Sequence, residues 1–423
     1  MAPDSSAPIV LGRVLIVGGC GFLGYHVVDQ FLNFASEEDL PLPKPATSTR
    51  TSKPDAASFE FPTLRSRYPL YAKTEVHVLD LRCNRNRLPG ATYHEGDLCD
   101  PASLLPVFRE VKPQVVINTA SPTYDAPREI LRKVNIEGTK TLLEVAGGAH
   151  GDWGGKCKAF VHTSSSSVVH DCLNDLINAD ERWPLVRPHP VEYYTESKAD
   201  AEEIVLEANK KHNDMLTCAI RPAGIVGERD RAGMTDALLQ TAAHAPDWQL
   251  HFQFGEGNNL FDCTYVGNVA YGLAVAAEAL LHTSARIAAG EAVPLDHEKV
   301  DGEAFIVTND SPAYFWDIAR YVWTLYGRTV SMSKVWQLSK GFLLPVGALA
   351  EMSTYITGKK TKMTRQSIRY ATMQRYFNCD KLKRRCGYTP LVGLEEGLAR
   401  AVKSFVLSER AEKEALGGEK KVQ

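Results

Sequence analysis

The sequence predicts an α/β fold, in which a doubly wound parallel sheet is joined to a smaller C-terminal lobe. Three observations predict this class. A short β-branched run at 13–17 is followed by a cluster of glycines and then by apolar residues at helical spacing. Short apolar runs alternate with amphipathic segments up to about residue 227. The chain has 423 residues, which is long enough for a large domain and a second lobe.

The elements follow in order along the chain. After the first strand, buried strands are predicted at 75–79, 115–118, 159–163 and 217–221, with amphipathic helices such as 135–145 and 195–208 between them. The sheet domain is therefore placed at 9–227, and the segments 261–282 and 303–309 are expected to return to it. The remaining segments, 228–260 and 310–423, are assigned to the C-terminal lobe.

Residues 36–73 interrupt the alternation. They are rich in proline, serine, threonine and lysine, a composition typical of surface segments. We predict a surface insertion, partly disordered, between the first helix and the second strand.

Composition excludes several classes of protein. The net charge is −3, so no nucleic-acid partner is expected. The nine cysteines form no Cys-x-x-Cys pair and no Cys/His metal spacing, so reduced thiols and no metal site are expected. No signal peptide and no apolar run long enough to span a membrane are seen.

The glycine cluster predicts a dinucleotide site. Gly18, Gly21 and Gly24 form Gly-x-x-Gly-x-x-Gly between a strand and a helix that begins with Phe22 and Leu23. Such glycines permit a tight turn, close approach of a pyrophosphate and close helix–sheet packing, and the helix dipole favours the anion. A glycine pattern alone is weak evidence, but its position between strand and helix favours a dinucleotide.

Three further segments fit the same cofactor. Asp80 ends the second predicted strand, where a carboxylate accepts a hydrogen bond from a ribose hydroxyl and so favours NAD. Nearby arginines (Arg82, Arg85 and Arg87) leave NADP open. Asp97 either contacts the adenine or caps the next helix. The small residues Thr119, Ala120 and Ser121 follow a strand and would let the dinucleotide lie against the backbone.

Tyr194 and Lys198 are the strongest catalytic candidates. They are four residues apart on a predicted helix, so both side chains can lie on one face. An ammonium group beside a phenol, together with a positive nicotinamide, would favour the phenolate. Lys198 could also hold the nicotinamide ribose, so Tyr194 and Lys198 are predicted to contact the cofactor as well. The run Thr163 to Ser167 follows a strand that enters the same cleft, and its hydroxyls could hold a substrate oxygen. Spacing alone does not decide which serine does so.

With these motifs the chain resembles the extended short-chain dehydrogenases/reductases with a Rossmann-type sheet. More closely, it resembles the 3β-hydroxysteroid dehydrogenase branch, and within it the decarboxylating sterol-4α-carboxylate 3-dehydrogenases. The resemblance covers nearly the whole chain outside residues 36–73. It rests on residues 17–24, 78–82, 118–122, 134–139, 219–227, 264–270 and 305–316.

The resemblance implies roles for individual residues. It makes Ser165, Tyr194 and Lys198 catalytic, and Asp80 the residue that pairs with the ribose. It places Asp97 and Leu98 on the adenine side of the cofactor, and Pro222 and Ala223 near the nicotinamide amide. Two features depart from the family pattern: the polar continuation Ser166-Ser167 after Ser165, and the insertion 36–73. They leave room for a related enzyme that acts on another terpenoid.

The function implied is NAD(P)-dependent oxidation of the 3β-hydroxyl of a sterol or triterpenoid. If carbon 4 carries a carboxylate, the keto product can lose CO2. One alternative is a nucleotide-sugar epimerase or reductase, which shares the Ser/Tyr/Lys set. Another is a redox-sensing scaffold that binds a dinucleotide without chemistry, although such a scaffold need not keep Tyr194 and Lys198.

Residues 336–358 are the expected contact with a membrane. They combine an apolar run broken by proline and glycine with aromatic residues, and basic residues follow. A buried helix of the substrate lobe is an equally good interpretation. The expected location is the cytoplasmic face of the endoplasmic reticulum, with a cytosolic protein as the alternative. Other enzymes of sterol C4 demethylation are expected partners, and a homodimer is left open.

Overall fold

The computed structural model describes residues 10–33, 64–71, 73–358, 361 and 363–419. Its strands, in chain order, are β1 Arg13–Val17, β2 Glu75–Asp80, β3 Thr92–Glu95, β4 Val115–Asn118, β5 Ala159–Thr163, β6 Leu176–Ala179, β7 Leu216–Pro222, β8 Gly224–Val226, β9 Phe252–Phe254, β10 Leu260–Phe261, β11 Cys263–Tyr265, β12 Glu303–Val307, β13 Ala313–Tyr314, β14 Trp336–Leu338 and β15 Arg375–Phe377.

The α-helices alternate with these strands. They are α1 Phe22–Leu32, α2 Pro101–Val111, α3 Arg128–Leu131, α4 Thr139–Ala146, α5 Tyr193–Glu207, α6 Met234–His244, α7 Val266–Ala288, α8 Phe315–Leu325, α9 Lys340–Thr357, α10 Arg365–Tyr370, α11 Asp380–Cys386 and α12 Leu394–Glu419. A π-helical turn, Arg132–Gly138, joins α3 to α4. Short 3-10 helices include Ser166–Val169 and Asp247–His251.

The central sheet has seven strands in the order β3-β2-β1-β4-β5-β7-β12, and every pair in it is parallel. The order reverses beside β1, because β2 and β4 lie on its two sides. In doubly wound sheets this is the point at whose carboxyl edge ligands bind. The predicted Rossmann-type sheet is confirmed.

Both faces of the sheet are covered, as the near-continuous apolar strands predict. Alternate strand residues, such as Ile16 and Ile117, pack with α1 and α7 on one face. The residues between them, such as Val17 and Val116, pack with α2 and α4 on the other. The sheet is thus held from both sides, and its carboxyl edge is left to build the site.

The second lobe is built around a separate sheet in the order β13-β10-β15-β6. A core contributed by α6, α8 and α12 supports it. Its strands have two to four residues each, too few to produce a readable alternation.

The domain boundaries predicted from the sequence need three corrections. β6 lies within 9–227 but belongs to the sheet of the second lobe. In 261–282, only α7 packs on the central sheet, since β10 joins the second sheet and β11 pairs with β8. Residues of the C-terminal segment, including Leu382, Tyr388 and Val392, are buried in the core of the first domain.

The predicted surface insertion is wrong over its last part. Leu64, Tyr68 and Tyr71 are buried in the main core, and the Tyr71 ring lies edge-on to Phe31 at 4.8 Å. Leu64 and Tyr68 belong to one helical turn, in which the N–H of Tyr68 donates to the carbonyl oxygen of Leu64 at 3.0 Å. The proline- and serine-rich composition obscured this apolar spacing. Residues 36–63 lie outside the described residues.

Candidate active site

The glycine turn is built so that nothing larger fits. Gly18 has φ +79°, and a Cβ there would lie 2.7 Å from the Ala120 backbone. A Cβ on Gly24 would lie 2.2 Å from the carbonyl oxygen of Gly18. Gly21 precedes α1 and provides no side-chain cap, so the amides of the first turn, including those of Phe22 and Leu23, are available to an anion.

Asp80 lies against this turn. Its Oδ2 accepts a hydrogen bond from the backbone N–H of Cys20 at 3.0 Å. The carboxylate that the sequence assigns to the ribose is therefore fixed beside the predicted pyrophosphate site. The guanidinium of Arg87, one of the three arginines that left NADP open, lies over the Tyr93 ring at 4.6 Å.

Asp97 does not cap the next helix, so one of its two predicted roles is wrong. Asp100 is the residue that caps α2, by accepting the N–H of Ala102 at 2.9 Å. Asp97 accepts the N–H of Cys99 at 2.9 Å and lies 3.9 Å from the ammonium of Lys133. Leu98 is buried beside it. An adenine contact by Asp97 and Leu98 stays a prediction.

The segment after β4 closes over the glycine turn. The N–H and Oγ1 of Thr119 both donate to the carbonyl oxygen of Val17, at 2.9 and 2.8 Å. Ala120 is the residue that Gly18 approaches, and Ser121 lies close enough to the phenol of Tyr194 to lower its pKa. The three small residues thus connect the cofactor side of the cleft to the catalytic side.

Pro222 and Ala223 lie at the carboxyl end of β7, at the same edge of the sheet. The N–H of Ala223 donates to the carbonyl oxygen of Val307 at 3.1 Å. Both residues are buried. Their expected place near a nicotinamide is consistent with this position, and the contact itself stays a prediction.

Tyr194 and Lys198 lie in the first two turns of α5 and face the sheet. Lys198 is buried, and its Nζ donates to the carbonyl oxygen of Thr163 at 2.8 Å. Burial lowers the pKa of Lys198 to about 8. The helix therefore holds an amine against the end of β5, next to the serine run.

The pKa of Tyr194 differs from the expectation. Burial, and then the Glu192 carboxylate, raise it to about 12, while the hydrogen bond with Ser121 lowers it. Lys198 is not among the groups that change this pKa, and the lowering expected from Lys198 together with a nicotinamide stays a prediction. Burial destabilises the phenolate more than the neighbouring groups stabilise it.

Ser165 is held in place by its own neighbours. Its Oγ shares a 2.8 Å hydrogen bond with Ser167 Oγ and accepts the N–H of Ser167 at 3.2 Å. Thr195 Oγ1 donates to Ser167 Oγ at 3.1 Å, so this loop is connected to the residue next to Tyr194. The polar continuation Ser166-Ser167, noted as a departure, thereby has a structural role at Ser167.

Three residues that the sequence left without a role also contribute. Asn135, buried in the π-helical turn, accepts from Ser121 at 3.0 Å and donates to Ser197 at 2.9 Å. Burial lowers the pKa of His162 well below its ordinary value, so its ring is neutral. The Glu192 carboxylate raises the pKa of Tyr194. Asn135 lies in the segment 134–139, which carries part of the family resemblance, so it could have been identified from the sequence.

The residues present fit a dinucleotide. The glycine turn leaves no room for a side chain, and Asp80 lies beside it. Deeper in the cleft, Thr163 Oγ1, Ser164 Oγ and His162 Nε2 are buried and have no hydrogen-bond partner among the described residues. Buried polar atoms of this kind call for a ligand or water. Within the described part of the chain, no group of three or more potential ligands could hold a metal ion.

The fold is shared with solved enzymes of low sequence similarity. The dTDP-glucose 4,6-dehydratase of Bacillus anthracis, solved with NAD, matches with a TM-score of 0.60 at 17% identity, over 94% of this chain and 98% of that one. A UDP-galactose 4-epimerase matches with a TM-score of 0.58 at 18% identity, over 94% and 99%. At this identity the likeness concerns the fold alone.

Sequence relatives are closer. The decarboxylating sterol-4-alpha-carboxylate 3-dehydrogenase of Saccharomyces cerevisiae is 34% identical over 93% of this chain and 97% of its own. The enzyme of that name from Candida albicans is 35% identical over 92% and 96%, and that of Mus musculus is 29% identical over 93% and 91%.

A family model supplies the remaining comparison. The model of the 3-beta hydroxysteroid dehydrogenase/isomerase family matches residues 69–339. This match covers more than half of the chain, and it includes the serine loop, Tyr194 and Lys198. The chain belongs to the 3-beta hydroxysteroid dehydrogenase/isomerase family.

Proposed function

We propose that the protein oxidises the 3β-hydroxyl of a sterol that carries a carboxylate on carbon 4, with NAD as oxidant, and that the keto product loses CO2. The observation that carries this proposal is the similarity to decarboxylating sterol-4-alpha-carboxylate 3-dehydrogenases along nearly the whole of both chains. The arrangement at the carboxyl edge of the sheet supports it.

The cofactor would be held by the glycine turn, the first turn of α1 and Asp80. Bound NAD supplies an acceptor for the hydride that leaves carbon 3. Asp80 favours NAD over NADP because a carboxylate accepts a ribose hydroxyl and repels a phosphate. Thr119, Ala120 and Ser121 would line its path toward the catalytic side.

Each of the three catalytic residues would have its own role in the oxidation. Tyr194, as the phenolate, takes the proton of the 3-hydroxyl while the hydride leaves carbon 3. Ser165 donates a hydrogen bond to the same oxygen and orients it. The ammonium of Lys198 favours the phenolate by its charge, and its bond to Thr163 O holds it beside the serine loop.

Loss of CO2 follows from the product. In a 3-keto-4-carboxylate, the bond between carbon 4 and the carboxylate breaks, and its electron pair enters the carbonyl to form an enolate. The hydroxyls of Ser165 and Tyr194 would donate hydrogen bonds to the enolate oxygen. A proton taken up at carbon 4 then completes the ketone.

The test compares two adjacent tyrosines. Tyr194→Phe removes the acid–base hydroxyl but keeps the ring, so we expect kcat for a 4α-carboxysterol to fall by about 10²- to 10⁴-fold with NAD binding retained. Tyr193→Phe is the matched control, because the Tyr193 ring packs under Arg128 at 4.1 Å. Cofactor reduction and calorimetry of NAD binding measure the two effects. Turnover by Tyr194→Phe at the wild-type rate would remove this residue from the mechanism.

We also infer that the protein rests on a membrane surface, at the cytoplasmic face of the endoplasmic reticulum. In the described residues, no helix is both long and apolar enough to cross a bilayer. The support is an apolar face, defined as the exposed side chains of Trp248, Met332, Trp336, Phe342, Leu349 and Met352. Trp248 and Trp336 both contact the Phe252 ring, at 5.8 and 6.5 Å, so two separate segments form one surface.

Helix α9 shows how this surface arises. Its buried side, with Leu343 and Gly347, packs toward α10, and its other side exposes Phe342 and Leu349. The buried-helix interpretation therefore describes one side of α9, and the membrane-contact interpretation describes the other side. An exposed apolar stripe on a helix is typical of interfacial binding. A homodimer and contacts with other enzymes of sterol C4 demethylation stay predictions from the sequence.

A further inference from the structure

Arg375 is a buried cation without an ion pair. It lies on β15 in the sheet of the second lobe and is 8% exposed. Its Nε is buried and has no hydrogen-bond partner, and its side chain forms no ion pair with any described residue. Three aromatic rings surround the guanidinium, those of Phe261, Tyr370 and Phe377, at 5.5, 5.4 and 5.7 Å.

Among the described residues, no ionisable neighbour makes an ion-pair contact with this guanidinium. Asp262 uses Oδ2 to accept the N–H of Phe377 at 2.7 Å; burial raises the pKa of its carboxyl to about 7, and Arg375 lowers it. His170 is neutral, because burial and then Arg375 lower its pKa to about 4. A buried guanidinium costs free energy unless an anion pairs with it. The guanidinium of Arg375 is therefore open to an anionic ligand.

A chain of hydrogen bonds runs from Tyr370, next to Arg375, to the catalytic serine loop. Tyr370 Oη, whose ring lies beside the guanidinium, donates to Glu192 Oε1 at 3.3 Å. Thr195 Oγ1 lies within hydrogen-bond distance of both Glu192 and Ser167, at 3.4 and 3.1 Å. Ser167 in turn bonds Ser165. Arg375 is thus built into the wall that also positions Ser165 and Glu192.

The sheet of the second lobe presents Arg375 toward the first domain. The Phe377 ring lies 5.7 Å from the Arg375 guanidinium, so the two side chains share a face of β15. Phe377 packs in one cluster with Val168, beside the serine loop, and with Ala223, at the end of β7. The guanidinium therefore lies on the side of the lobe that faces the carboxyl edge of the central sheet.

We propose that Arg375 is the anion subsite of the active site and binds the carboxylate of the sterol substrate. This inference rests on the proposed function. A guanidinium binds a carboxylate through two parallel N–H···O bonds, and the three aromatic rings limit competition from water. Because the carboxylate is on the carbon next to the reacting one, holding it sets the position of the 3-hydroxyl relative to Ser165 and Tyr194. Arg375 is accordingly a specificity-determining residue.

The test measures preference between two substrates. Wild type and Arg375→Gln are assayed with a 3β-hydroxy-4α-carboxysterol and with its methyl ester. We expect wild type to prefer the acid, and we expect Arg375→Gln to raise KM for the acid by roughly 100-fold, as for loss of a charge-assisted pair. The KM for the ester should change little. Arg384→Gln, at an exposed arginine on α11, is the matched control and should keep the wild-type preference.

The outcomes separate this inference from the proposed function. If wild type oxidises neither sterol, the proposed function fails. If wild type prefers the acid and Arg375→Gln keeps the same preference, the subsite is overturned. Should Arg375→Gln fail to fold, Arg375→Lys keeps the charge but loses the planar fork, and its preference should lie well below that of wild type. A preference equal to wild type in Arg375→Lys would then overturn the proposal.

Discussion

Burial and two neighbouring residues change the pKa of the Tyr194 phenol in opposing directions. Burial and the Glu192 carboxylate raise its pKa to about 12, and the hydrogen bond with Ser121 lowers it. The phenol is therefore protonated at neutral pH, and it must lose that proton before it can accept another from the substrate. Oxidation should thus become faster as the pH rises above neutral, up to the pKa of Lys198 at about 8, beyond which the ammonium that supports the phenolate is lost.

Glu192→Gln tests which group sets this pH dependence. Removing a carboxylate beside a phenol makes ionisation easier, so the rising part of the kcat/KM profile should move to lower pH by about one unit. Glu196→Gln is the control, because Glu196 lies on the same helix and accepts the N–H of His189 at 2.9 Å without acting on Tyr194. The measurement is kcat/KM against pH. An unshifted profile in Glu192→Gln would assign the raised pKa to burial alone.

Some site residues could be predicted from local sequence motifs, and others could not. The glycines, Asp80, Tyr194 and Lys198 could be located from the sequence, because strand, turn and helix signals lie next to them. Glu192 and Arg375 could not, since their partners are far along the chain: Gln366 and Tyr370 for Glu192, and Phe261 for Arg375. The N-cap of α2 could have been predicted, since Asp100 precedes a proline at the first helical position.

At the scale of elements, helix α5 depends on a buried ion pair. Glu202 on α5 binds Arg221 on β7 through two hydrogen bonds, at 2.9 and 2.5 Å. Both side chains are almost fully buried, at 0% and 5% exposure. Because α5 also carries Tyr194 and Lys198, this pair fixes the catalytic helix against the sheet.

Glu202→Gln should destabilise the protein by about 3–5 kcal/mol, because it leaves the buried charge of Arg221 without a counter-ion. The adjacent Glu203 supplies a matched control, since it pairs with Arg187 near the surface at 2.8 Å. Glu203→Gln should cost less than about 1 kcal/mol. Unfolding by denaturant measures both losses. Equal losses in the two variants would show that the buried pair does not anchor α5.

All strands of the central sheet except β3 could be predicted from the sequence, and the strands of the second sheet could not. The five strands predicted between residues 13 and 221 lie within about one residue of β1, β2, β4, β5 and β7, because each is an apolar run with a turn behind it. In the second lobe, β10 and β13 have two residues each. Strands of that length are specified by their partners in the sheet, which periodicity along the chain does not report.

At the scale of the whole molecule, the two lobes exchange segments. β6 lies early in the chain and pairs with β15, and Leu382, Tyr388 and Val392 lie late in the chain and pack in the first core. The chain therefore crosses between lobes several times. One consequence is that the sheet of the second lobe is attached beside the serine loop, where Phe377 packs in one cluster with Val168. The boundaries predicted from the sequence, which left β6 in the sheet domain and all of 310–423 in the second lobe, do not describe this arrangement.

The apolar face gives the last prediction, which concerns how the whole molecule is placed in the cell. Trp336 and Phe342 are 68% and 61% exposed, and burying such side chains in an interface stabilises binding by about 1.5–3 kcal/mol each at most. Trp336→Ser with Phe342→Ser should therefore weaken flotation with anionic liposomes by at least about tenfold. Val293→Ser with Leu295→Ser is the control, because both residues are comparably exposed on a different loop. Equal flotation of the two double variants would place the membrane contact elsewhere.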